Sequence, residues 1–109
     1  MEARELYEKI AAEVTDGQEV ISSQMFGMPT LKVRGKAFAG LHGEVMAFKL
    51  APDDLVAAQG MPGAGNFDPS GMGRVMGGWV QVGADGQKEW KRLAEQALAF
   101  VGASAPKKK

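Results

Sequence analysis

The sequence predicts an α+β domain: an antiparallel sheet of about five strands, arranged as a meander plus one late strand, flanked by N- and C-terminal helices and one short helix. Three observations carry this expectation. Apolar residues recur at helical spacing near both ends, they alternate with polar ones between Gly-containing turns in the middle, and 109 residues at 45% apolar content suffice for one core.

From about Glu2 to Val14 the side chains of Ala3, Leu6, Tyr7, Ile10, Ala11 and Val14 fall on one helical face, with Glu5 and Lys9 paired at i,i+4 elsewhere. Thr15-Asp16-Gly17 supplies the stop. Val20 to Phe26, half β-branched or aromatic and bounded by Gly27 and Pro29, reads as a strand whose inward side the pattern leaves open. Leu31 and Val33 alternate with Lys32 and Arg34, predicting a strand with one wet face. Gly35-Lys36 turns the chain, Ala37 to Leu41 returns it, His42-Gly43 turns it again, and Val45 to Leu50 forms the next strand.

Pro52-Asp53-Asp54 starts a helix, because Pro needs no amide partner there and acids complement the helix dipole; Gly60 ends it. Gly60 to Gly78 holds seven of the 15 glycines and is expected to be mostly irregular, folded over the sheet by Phe67 and its methionines. Trp79 to Val82 reads as a strand, Gly83 to Gly86 as a turn, and Gln87 to Val101 as a helix with Trp90, Leu93, Ala94, Ala97, Leu98 and Val101 in one stripe and Gly102 beyond it. Trp79 and Trp90 are expected to be core anchors joining the last strand to that helix. Residues 1–102 thus form a single domain, and the basic, Pro-containing tail Ala103 to Lys109 reads as disordered.

Lys plus Arg and Asp plus Glu both number 13, so no net charge draws the chain to nucleic acid or an anionic membrane. Cysteine is absent, which excludes disulfides, a thiolate nucleophile and a Cys-bound zinc, and a cytoplasmic location is expected. No apolar run reaches the length of a membrane span, and the acidic, helical N-terminus is unlike a secretion signal.

Tests for chemistry give little. The Gly-rich segment lacks Lys and Ser or Thr after Gly65, and Met76 stands where a dinucleotide fingerprint needs Gly, so a phosphate cradle is disfavoured. His42 is the single histidine, and no serine has the G-x-S-x-G frame, so it reads as a solvated turn residue. Asp53-Asp54 is explained by the helix dipole, and Asp68 before Pro69 by turn chemistry. No catalytic residue, metal or cofactor is assigned. Lys32, Arg34 and Lys36 could form a cationic edge for phosphates, extended by Lys49 and Arg74 and by the terminal lysines; the alternative is a solvated hairpin face. Seven methionines, Met72 among them, could form an adaptable binding surface or simply fill a core.

Met25-Phe26-Gly27, Leu31-Lys32, Gly35-Lys36 with Phe38-Ala39, Phe48-Lys49-Leu50, Phe67, Met76, Trp79 to Val82, and a closing helix with Trp90, Ala94 and Ala97 together resemble the N-terminal domain of the TfoX/Sxy family, named for bacterial competence regulators. The match runs from the first helix to about Val101, and the order and spacing of the motifs carry it. The resemblance implies a small α+β module of MmcQ/YjbR-like shape with no catalytic residues to carry over. Met28-Pro29-Thr30 replaces the glycine and aromatic strand usual after the first motif, and the chain ends at Lys109 before a second helical domain, so a divergent, free-standing copy is expected. The functional expectation is a non-enzymatic regulatory module that binds another protein, with Lys32, Arg34, Lys36, Phe67, Met72 and Arg74 as candidate contacts. The alternative is nucleic-acid binding through Lys32, Arg34 and Lys36. No membrane partner is expected, and a homodimer joined through a sheet edge is open.

Overall fold

The computed structural model describes residues 2–15, 20–25, 28–33, 35–67 and 78–104. Strands Val20–Met25 (β1), Met28–Val33 (β2), Lys36–His42 (β3), Val45–Lys49 (β4), Ala64–Asn66 (β5) and Trp79–Val82 (β6) make one sheet in the order β1-β2-β3-β4-β6-β5, and every neighbouring pair is antiparallel. Helices Ala3–Thr15 (α1), Pro52–Gln59 (α2) and Trp90–Ser104 (α3) complete the α+β architecture, with a 3-10 helix at Ala84–Glu89 leading into α3. No helix among the described residues is long and apolar enough to cross a membrane.

The expected meander is present from β1 to β4. Gly35 and Gly43 occupy its last two turns at φ +83° and +64°, a region that glycine enters without a Cβ penalty. β2 and β3 pair through a bulge: Leu31 opposes Ala39 and Lys32 opposes Ala37, which leaves Phe38 as the extra residue. Phe38 and Ala39 consequently both enter the main core. That core lies between one sheet face and the long helices. Leu31, Leu41, Met46, Phe48, Val80 and Val82 meet Tyr7, Ile10 and Val14 of α1 and Trp90, Leu93, Ala97 and Val101 of α3. The predicted stripes on both helices are the buried ones, and an ion pair from Lys91 Nζ to Glu13 Oε1 at 3.5 Å links α3 to α1 at the surface.

Several expectations need correction. The sheet has six strands, because Ala64–Asn66, inside the Gly-rich segment, pairs with β6 from Ala64 opposite Val82 to Asn66 opposite Val80. A strand of Ala-Gly-Asn has almost no β propensity of its own and is held by its neighbour's ladder. β2 starts at Met28 and includes Pro29, which opposes Gln24 of β1 but lies beyond the ladder to β3, which starts at Thr30. α3 starts at Trp90 rather than Gln87 and runs through Gly102 to Ser104, with Val101 buried in its last turns. Trp79 does not join β6 to α3. It lies on the opposite sheet face, in a smaller cluster with Met28, Ala47 and Phe67, and only Trp90 serves the expected role. The stop at Asp16-Gly17, the strand end at Phe26 and the tail from Ala105 onward lie outside the described residues.

Candidate functional site

β1 is the terminal strand of the sheet, and among the described residues it pairs only with β2. Its sequence, VISSQM, contains no charge, no proline and no glycine, and its pairing with β2 is regular through all six positions. Edge strands are ordinarily blunted by charged side chains, prolines, bulges or short length; β1 has none of these. Ser22 and Gln24 are exposed, and Ile21 is 59% exposed, one of two large hydrophobic side chains on the surface among the described residues. The sheet's other terminal strand, β5, is three residues long. A row of peptide groups able to accept another strand is therefore presented at β1.

An open groove of about 530 Å³ runs beside this strand, between α1 and the β1–β2 end of the sheet. Arg4, Glu8, Ala11 and Ala12 form its helical wall, and Ser22, Ser23, Gln24 and Pro29 form its strand side. Arg4 Nε donates to Glu8 Oε2 at 3.0 Å, one helical turn apart and largely in solvent, so the pair orders the rim more than it stabilises the fold. Tyr7 also lines the groove, yet its hydroxyl is buried and has no hydrogen-bond partner among the described residues. Burial pushes this phenol up to about 12, with Arg4 pulling the other way and Glu8 adding to the rise.

The structure separates the residues that the sequence grouped. Lys32 is half-buried on the sheet face that carries no helix among the described residues, opposite Ile21 and Ala37, whereas Lys36 is exposed opposite Val33 and so belongs to the helix-bearing face. Lys49 shares the face of Lys32, paired with Trp79. Arg34, Met72 and Arg74 lie outside the described residues, as does Asp68. Phe67 is fully buried, so as a surface contact it is corrected to a core residue: its ring meets Trp79 at 5.5 Å and His42 edge-on at 5.9 Å. His42 is accordingly half-buried at the end of β3 rather than a solvated turn residue. Asp53 and Asp54 sit in the first turn of α2. No group of three or more His, Asp or Glu that could hold a metal occurs among the described residues.

The sequence implies a free sheet edge but leaves open which strand supplies it. The charge-free run from Val20 to Met25 is the signal that points to β1. The chain matches no family model, no curated protein and no solved structure.

Proposed function

We propose that this chain is a non-enzymatic protein-interaction module that takes an extended segment of a partner onto the outer edge of β1, in a regulatory role like that implied by its resemblance to TfoX/Sxy N-terminal domains. The observation that carries the reading is the uncharged, regularly paired edge of β1 with Ile21 exposed beside it. Strand addition draws affinity from main-chain hydrogen bonds and specificity from alternate side chains. Here the alternate side chains face two environments: Ser22 and Gln24 line the groove under α1, while Ile21 projects from the other face.

Peptides selected from a random library against the full chain provide the test, read by backbone amide shifts. Shifts concentrated in β1 and the groove-facing turns of α1 are expected; selected peptides that shift only other elements contradict the reading. The nucleic-acid alternative has less support, since Lys32 and Lys36 project from opposite faces. Duplex DNA retained at about 50 mM salt, and released when Lys32→Glu is introduced, would favour it instead.

A further inference from the structure

Resting on that reading, we infer that the segment received by β1 is β1 of a second copy of this chain, joined by a two-fold axis at Ser22 so that one antiparallel sheet continues through both copies. In an isologous contact each side chain near the axis faces its own kind, so a charge at the centre of the strand would oppose itself. β1 is free of charge along its whole length, and the chain as a whole has a net charge of zero. Two copies approach without long-range repulsion.

The register follows from the faces that β1 already presents. Opposing residues of an antiparallel pair share a sheet face, so the axis must fall on a residue rather than between two. With Ser22 on the axis, Ser22 opposes its counterpart on the helix-bearing face, where two hydroxyls can exchange a hydrogen bond, and Val20 opposes Gln24. On the other face Ile21 opposes Ser23, which sets the two Ile21 side chains diagonally across the axis, roughly 7–8 Å apart. Each exposed isoleucine then covers the other. A head-to-tail joint would instead need β5 as the receiving edge, and β5 offers three residues against the six of β1. The closed two-fold pair is the arrangement that the two edges allow.

Sedimentation equilibrium of the full chain from micromolar to millimolar concentration tests this. The weight-average mass is expected to climb from 11.6 kDa toward twice that value. Ile21→Lys, which places like charges diagonally across the axis, and Ser22→Asp, which places them face to face, should each raise the dissociation constant at least about tenfold. Both positions are exposed, and circular dichroism verifies that each variant is folded. A monomer at every concentration overturns the inference, and so does a dimer whose constant neither substitution changes. If the chain stays monomeric while library peptides still shift the β1 amides, the second copy is excluded and the binding reading stands; if the β1 amides respond to neither, both fall.

Discussion

Trp90 Nε1 donates a 3.0 Å hydrogen bond to the carbonyl oxygen of Val82, tying the first residue of α3 to the last residue of β6. Both residues are buried, and Gly83 with the 3-10 helix at Ala84–Glu89 makes the whole connection between them. The contact fixes where α3 departs from the sheet and hence how its apolar stripe lies over β3 and β4.

Replacing this indole by a ring without a donor isolates the bond. Trp90→Phe leaves the Val82 oxygen short of a partner in the core, at a cost of about 1–3 kcal/mol, with a further loss from the smaller ring. Urea unfolding measures it: a lower midpoint with an unchanged slope is expected.

Gly40 shows a different constraint. A Cβ there would lie 2.6 Å from Met28 Cε, 3.1 Å from the Pro29 carbonyl oxygen and 3.5 Å from Thr30 Oγ1. Gly40→Ala should therefore destabilise the fold by about 1–3 kcal/mol through overpacking. Combining it with Met28→Ala should cost less than the sum of the two single changes, because the methyl group that obstructs the new Cβ is removed. Strict additivity in the double-mutant cycle would contradict this packing.

Phe67 anchors the smaller cluster on the sheet face opposite α1 and α3, between Trp79 and His42. Phe67→Ala empties the site of a fully buried ring and should cost about 3–5 kcal/mol in thermal or urea unfolding. Loss of a partner contact without loss of stability would return Phe67 to the surface role that its sequence context allows.

Tyr7 is the only tyrosine, so phenolate absorbance reports it alone. Its folded-state value of about 12 lies above the ordinary 10.0, and burial is the main cause. The unfolded chain thus releases this proton first. The corresponding stability is intact below pH 10 and is lost as pH rises from 10 through about 12. Tyr7→Phe removes a hydroxyl that has no partner among the described residues, so it should leave stability at neutral pH unchanged or raise it by up to about 1 kcal/mol, and should flatten the alkaline decline.

The elements legible in the sequence are those whose own residues determine them. The stripe from Trp90 to Val101 needs only the helical period, the two later hairpins need Gly35 and Gly43, and Pro52 with two acids marks the start of α2. The features that escaped depend on neighbours. β5 exists because β6 offers it a ladder. Trp79 faces away from α3 because of the strand parity that puts Val80 and Val82 inward. The extra residue Phe38 shifts β3 by one, which no alternation within Ala37 to Leu41 reveals. The same holds for the candidate site. Lys32 and Lys36 look like neighbours along the chain, but the register places them on opposite faces, and the edge position of β1 is a property of the whole sheet order.

Amide hydrogen exchange along β1 puts the use of this edge to the most direct trial, because alternate amides of an edge strand point inward to β2 and outward from the sheet. With the outer edge occupied, inward and outward amides from Val20 to Gln24 should be protected alike, and Ile21→Lys should restore fast exchange at the outward ones alone. Outward amides that exchange at the rate of a bare edge at every protein concentration, and with every selected peptide present, would contradict it.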